Sequence, residues 1–204
     1  MAMPQPQPDY NYMDETSYLA FEDDSDVRHE YDDGQVYMMA GATEEHNIVA
    51  SNINAELNTR LRGKPCRVYA SDMRVQVAKA YTNAYRYPDI VVVCGDRNFI
   101  ESKSKKSVTL TNPTVLIEIL SGGTASVDAI QKLDEYRKIS SLQAYVIIAQ
   151  DSPLIIQYSR TDAGWDDTIY MGLEVTLVLD SIECSIALSD IYYNLEFEND
   201  YDDE

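Results

Sequence analysis

The sequence predicts an α/β (α+β) fold in which a mixed β-sheet core is flanked by helices. Three observations point to it: strand-like runs of apolar residues, a periodic helix between two of those runs, and a series of strands near the C-terminus. The central apolar runs are IVVVC (90–94) and TVLIEIL (114–120), and the helix ASVDAIQKLDEYRKI (125–139) leads from the second run to AYVIIA (144–149). A helix that crosses between two buried strands is typical of a parallel pair within a mixed sheet.

The N-terminal half predicts a hairpin followed by a long helix. In RHEYDDGQVYMMAG (28–41), two strand-like stretches surround Asp33-Gly34, which is a strong turn signal. Thr43 is a residue type that caps helices, and Gly63 ends the periodic segment that follows it. The apolar residues of this segment recur with the 3.6-residue period of a helix, at Val49, Ile53, Leu57 and Leu61.

The remaining segments complete a single predicted domain over residues 17–195. CRVYASDMRVQVA (66–78) alternates like one strand, 96–112 is a long polar loop, and the segments from LIIQYSR onward predict an antiparallel C-terminal meander. Residues 1–16 predict a disordered tail, and residues 196–204 predict a second, acidic tail.

The composition narrows the classes of function. With 35 acidic and 16 basic residues the formal charge is -19, which argues against general nucleic-acid binding, although local basic patches stay compatible with it. No run approaches the ~18 consecutive apolar residues of a membrane span, and the N-terminus lacks the pattern of a signal peptide. Cys66, Cys94 and Cys184 lie far apart without a CxxC pair, which predicts buried reduced thiols of a cytoplasmic protein and no disulfide or zinc site.

A charged residue interrupts the most apolar of the predicted strands. Glu118 stands within VLIEIL, where an unpaired carboxylate is costly to bury. Asp89 precedes the other central run, so pairing of the two strands would bring two carboxylates together. Buried like charges repel unless a cation lies between them, and Mg²⁺ prefers such oxygen ligands. The pair predicts a metal site; a core salt bridge for Glu118 and a strand start for Asp89 are the structural alternatives.

These residues resemble the PD-(D/E)XK nuclease superfamily and, more closely, the bacterial Uma-two family of restriction-endonuclease-like proteins. The resemblance rests on HEYDDG, EEHNIVASNINAEL, YPDI and IEILS, followed by Asp128, Lys132 and Tyr136. It spans roughly residues 17 to 193 and implies a restriction-endonuclease-like sheet core. The superfamily's lysine normally stands two residues after the second acid, where this chain has Leu120. The resemblance therefore implies that Lys132 on the following helix takes its place.

The resemblance also implies a role for each candidate. Asp89 and Glu118 would bind Mg²⁺ (or Mn²⁺) together with the carbonyl of Ile119, and Lys132 would act beside the attacking water. Taken alone, the helical pattern around Lys132 favours a solvated lysine or one paired within the helix.

Glu30 and His46 are additional candidates for the site. Glu30 matches an early acid that helps to bind metal in the superfamily, and its structural alternative is an exposed acid on an edge strand. His46 falls on the apolar stripe of the long helix, where a hydrogen-bonded core or rim histidine is the commoner case.

The predicted function is Mg²⁺-dependent endonucleolytic hydrolysis of DNA phosphodiester bonds by a metal-activated water. The alternative is a nuclease-fold accessory or binding protein without turnover, which the acidic body and the displaced lysine favour and the retained acid pair opposes. Hydrolysis of a small phosphorylated substrate is a weaker third alternative. DNA is the expected partner, no membrane is expected, and a homodimer stays open because many such nuclease folds act as dimers.

Overall fold

The structure is a computed structural model that describes residues 12–79, 81–100, 108–120 and 132–197. Over these residues the chain forms two six-stranded sheets, a two-stranded sheet and flanking helices. In chain order the elements are α1 (Glu15–Asp24), β1 (His29–Asp32), β2 (Gln35–Met38), α2 (Glu44–Arg60), β3 (Cys66–Ala70), β4 (Arg74–Ala78), β5 (Asn83–Arg86), β6 (Ile90–Cys94), β7 (Phe99–Ile100), β8 (Thr109–Leu110), β9 (Val115–Leu120), α3 (described over 132–136), β10 (Ala144–Ala149), β11 (Leu154–Thr161), β12 (Gly164–Met171), β13 (Thr176–Leu179), β14 (Cys184–Ala187) and α4 (Leu188–Ile191).

The central sheet has the strand order β12-β11-β10-β9-β6-β3. β9 and β10 are parallel, and the other neighbours are antiparallel. The chain between β9 and β10 includes α3, as the crossover of a parallel pair requires. The predicted mixed sheet with flanking helices is therefore confirmed.

Strands β6 and β9 pair directly, as predicted from the two central apolar runs. Their register places Ile90 opposite Ile117. Because side chains alternate along a strand, Ile117 and Ile119 enter the core beneath α2, whereas Leu116 packs on the other face with residues that include Tyr136 of α3. Glu118 shares the second face with Leu116.

The second sheet, ordered β2-β1-β5-β4-β8-β7, holds the predicted hairpin and corrects two predictions. The segment 66–78 is two strands in different sheets, not one, because a turn intervenes in which the N–H of Met73 donates to the carbonyl of Ala70 at 3.1 Å. The polar loop 96–112 carries the short strands β7 and β8, and residues 101–107 lie outside the described residues. Strand β5 was missed because its NAYR sequence has little strand character.

The C-terminal meander and the chain ends follow the prediction with adjustments. β10, β11 and β12 are antiparallel neighbours, whereas β13 and β14 pair only with each other among the described strands. Helix α1 begins at Glu15, just before the predicted domain boundary at 17, and the side chain of Asp14 caps it. Residues 1–11 and 198–204, which hold most of both predicted tails, lie outside the described residues.

The prediction of three reduced cysteines is wrong for two of them. Cys66 of β3 lies opposite Cys94 of β6, with 4.0 Å between the Cα atoms, and the two form a disulfide. The distance along the sequence hid this pairing, which the antiparallel register creates. Cys184 is a buried free thiol. None of the described helices is long and apolar enough to cross a membrane.

Candidate active site

The site begins where β6 stops covering β9. The register between the two strands reaches Ile117, and beyond it the side chain of Asp89 takes the place of the neighbouring strand. Asp89 Oδ2 accepts the N–H of Ile119 at 2.7 Å. Since the N–H and C=O of one strand residue point to the same side, the Ile119 carbonyl faces the same opening as Asp89.

His46 reaches this opening from the first turn of α2. The Thr43 hydroxyl accepts the His46 N–H at 3.2 Å, which fixes the start of the helix. The Nε2 atom of His46 lies 3.1 Å from Asp89 Oδ1. This hydrogen bond raises the pKa of His46, and it outweighs the opposing effect of burial. The hydrogen-bonded rim histidine expected from the helix pattern thus contacts a candidate metal ligand.

Glu118 is buried in the middle of β9, with 5% of its surface exposed. Its Oε1 atom accepts the Tyr136 hydroxyl at 3.0 Å and the Lys132 ammonium at 3.2 Å. Burial raises the pKa of Glu118 to about 7; Lys132 opposes the rise, and the charges of Asp89 and Glu30 add to it. A carboxylate with two like-charged neighbours and a single ammonium is short of positive charge.

Glu30 and Lys132 close the site from the other side. The Lys132 ammonium lies 3.4 Å from Glu30 Oε1, and only 13% of the Lys132 side chain is exposed. The solvated lysine that the helical pattern alone favours is therefore not what the structure contains. Glu30 also accepts the N–H of Tyr87 at 3.3 Å and lies 3.7 Å from Arg86, so it is not an exposed edge acid. All six predicted residues meet in one place; Asp128 lies outside the described residues.

Sequence reasoning missed an ion network beside the site. Arg86 is buried and contacts Asp32 at 2.8 Å, Glu135 at 2.8 Å and Glu30. Lys79 contacts Asp32 at 2.5 Å and Glu135 at 2.7 Å. The available signal was weak: Arg86 stands three residues before Asp89, in a strand that the sequence did not predict.

A second buried carboxylate supports the site from behind. Glu22 of α1 accepts the backbone N–H of His29 at 3.0 Å, the His29 ring at 2.9 Å and the Tyr87 hydroxyl at 2.8 Å. His29 precedes Glu30, and Tyr87 lies two residues before Asp89. This Glu22 cluster therefore joins the backbone segments that carry two of the site carboxylates.

The donor set was tested against a magnesium ion. Within the described ranges, no group of three or more His, Cys, Asp or Glu side chains is arranged to hold a metal. The arrangement offers two carboxylates, Asp89 and Glu118, and the Ile119 carbonyl, which are hard oxygen ligands. Mg²⁺ keeps several waters and needs only one or two carboxylates, and a cation would offset the repulsion between these acids. The residues present fit a weak, water-rich magnesium site.

Comparisons with known proteins point to one family. A family model described as "Uma2: Putative restriction endonuclease" matches residues 15–189. The uncharacterized protein slr1290 of Synechocystis sp. (strain ATCC 27184 / PCC 6803 / Kazusa) is 30% identical over 88% of this chain and 91% of its own. A second uncharacterized protein of that organism, sll1609, is 30% identical over 76% of this chain and 85% of its own.

The fold matches a solved structure. A crystal structure of a "putative nuclease belonging to DUF820" from Anabaena variabilis ATCC 29413 superposes with a TM-score of 0.70 at 16% identity, covering 88% of this chain and 97% of that one. That identity establishes the shared fold, and the family model extends over most of the chain. The protein is therefore a member of the Uma2 (Uma-two) family of restriction-endonuclease-like proteins.

Proposed function

We propose that the protein is a Mg²⁺- or Mn²⁺-dependent endonuclease that hydrolyses phosphodiester bonds in DNA. The observation that carries the proposal is the meeting of Asp89, Glu118 and Lys132 at the uncovered edge of β9. Membership of the Uma2 family supports it. A DNA substrate places the proposed activity in the cytoplasm, and a homodimer stays a prediction.

Each residue has a proposed task that follows from its contacts. Asp89, Glu118 and the Ile119 carbonyl would hold the metal, which when bound supplies Lewis-acid stabilisation and a more acidic water. His46 and the Ile119 N–H fix the two oxygens of Asp89. Lys132 holds its ammonium beside Glu118, where it can donate to the nucleophilic water or to a phosphate oxygen.

One observation favours the accessory-protein alternative. The described cations around the site, Lys132, Arg86 and Lys79, are each paired with carboxylates of the same chain. Protein–DNA affinity depends strongly on cations that neutralise phosphates, and these three are already neutralised. A non-catalytic member of the family would carry such a site without loss.

The deciding experiment is a nuclease assay with Mg²⁺ and with Mn²⁺ on single-stranded, double-stranded and branched DNA. The wild type should cleave at least one of them, and Lys132→Ala should lose most of that rate while it still binds metal. Lys138→Ala, an exposed lysine on the same segment, is the matched control and should cleave like the wild type. A wild type that binds metal and cleaves none of these substrates would establish the accessory protein instead.

A further inference from the structure

A polar cavity lies next to the candidate active site and is used by none of the proposed chemistry. Its volume is about 490 Å³. The walls come from the β1–β2 hairpin and from the connection between β4 and β5, and they comprise Asp32, Asp33, Gln35, Tyr37, Lys79, Tyr81 and Thr82.

The position of the cavity ties it to the site. Asp32 lines the cavity and lies two residues after Glu30 on β1, so both side chains point to the same face, ~7 Å apart. Arg86 contacts both carboxylates, at 2.8 Å for Asp32 and 3.7 Å for Glu30. A ligand in the cavity would therefore be close to a phosphate bound beside Glu118.

Tyr81 shows what kind of ligand the cavity suits. Its side chain is 99% exposed, the highest value among the large hydrophobic residues of the described chain, so it packs against nothing in the protein. A fully exposed aromatic ring at the mouth of a cavity is a stacking surface. Tyr37 lies on the opposite wall and donates its hydroxyl to Gln35 Oε1 at 2.5 Å. Two aromatic residues thus border a cavity large enough for a planar group.

The charges in the cavity select against an anion. Asp32 and Asp33 are negative, and Lys79 is held by Asp32 and by Glu135. The exposed Asp33 and Gln35 carry acceptor oxygens. A phosphate would be repelled, whereas a neutral aromatic ring with N–H donors would be accepted. Nucleobases with an exocyclic amino group, in adenine, cytosine and guanine, have this chemistry.

We propose that this cavity is a base-binding subsite, in which Tyr81 stacks on an unpaired, amino-bearing nucleobase close to the scissile phosphate. The inference rests on the proposed function and narrows its substrate to DNA with single-stranded character. Paired bases cannot enter, because their faces are covered by stacking and their amino groups are engaged in pairing.

Binding without cleavage tests the subsite separately from the nuclease activity. Fluorescence anisotropy with chelator present would compare short oligo(dA), oligo(dC) and oligo(dT), each labelled, with an abasic strand and a duplex. Tyr81→Ala should weaken binding of oligo(dA) and oligo(dC) about 5- to 150-fold, the equivalent of one base–aromatic stack of roughly 1–3 kcal/mol. Binding of the abasic strand should be unaffected by the same change. Tyr193→Ala, another exposed tyrosine (65%), is the matched control and should bind like the wild type.

Three results would overturn the inference: equal effects of Tyr81→Ala and Tyr193→Ala, equal effects of Tyr81→Ala on normal and abasic strands, or no binding of single strands by the wild type. A Tyr81-dependent preference for amino-bearing single strands in a protein that never cleaves would support the subsite and refute the proposed nuclease. Since Tyr81 is fully exposed, its substitution leaves the fold intact, and a melting curve confirms this.

Discussion

Two buried carboxylates in this molecule, Glu22 and Glu118, have opposite surroundings. Glu22 receives hydrogen bonds from a backbone N–H, an imidazole and a phenol, divided between its two oxygens. Glu118 receives a phenol and an ammonium, both on Oε1, and lies among the charges of Asp89 and Glu30. Both are nearly inaccessible to solvent. Burial therefore does not distinguish a structural acid from a functional one, whereas the neighbouring charges do.

The largest expected effect separates the two acids by activity. Asp89→Asn and Glu118→Gln should each lower the metal-dependent nuclease rate by at least ~10³-fold, because each removes a charge that the reaction needs. Glu22→Gln, which changes a buried acid of the same kind, should retain much of the rate. Cleavage rates of purified variants at saturating metal measure this. Comparable losses in all three variants would remove the distinction between the two acids.

The pH dependence of stability should differ next. The folded-state pKa of Glu118 is raised from 4.5 to about 7, so the folded protein holds this proton more tightly than the unfolded chain. Stability from this group is fully present below about pH 4.5 and is lost as pH rises to about 7, a change of about 3 kcal/mol. In metal-free buffer the free energy of unfolding of Glu118→Gln should therefore rise relative to wild type across this interval. A difference that is flat or falls with pH would contradict the proposed environment.

The Glu22 cluster should matter for stability. Glu22→Gln cannot accept all three donors, and a buried donor left unsatisfied costs about 1–3 kcal/mol. Chemical denaturation should therefore show a loss of about 2 kcal/mol. Glu56→Gln, which removes a half-exposed acid paired with Arg60, is the control and should stay within about 0.5 kcal/mol of wild type. Equal losses in the two variants would mean that the cluster is not a structural anchor.

The smallest effect concerns the residue that orients Asp89. His46→Gln removes the ring that lies 3.1 Å from Asp89 Oδ1. Substitutions of residues that orient metal ligands typically cost ~10–100-fold in affinity, and the lower end is expected here because the Ile119 N–H still holds Oδ2. Metal titration of the nuclease rate measures the shift. An unchanged apparent affinity would make His46 a residue of the helix rim only.

The sequence predicted the centre of the fold better than its periphery. The pairing of β6 with β9 and the face taken by Glu118 follow from long apolar runs and strict alternation, which depend on few residues. The division of 66–78 into two sheets depends on a two-residue turn, and the Cys66–Cys94 disulfide depends on a register that no local pattern reveals. Long-range geometry decided both.

The candidate site shows the same limit. Asp89 and Glu118 were found because charges are rare in apolar strands, and Lys132 was found only through the family resemblance. Arg86 and Glu22 escaped notice because their partners are distant in sequence: Glu22 meets Tyr87 across 65 residues, and Arg86 meets Glu135 across 49. Charged residues in polar segments carry no local sign of burial.

The most direct test is calorimetric titration of Mn²⁺ into the wild type, Glu118→Gln and Glu22→Gln under identical conditions. If Glu118 is a metal ligand and Glu22 a structural anchor, the wild type and Glu22→Gln will bind the ion and Glu118→Gln will not. Equal binding by all three proteins would contradict the account, and Glu118 would then be a salt-bridged core residue.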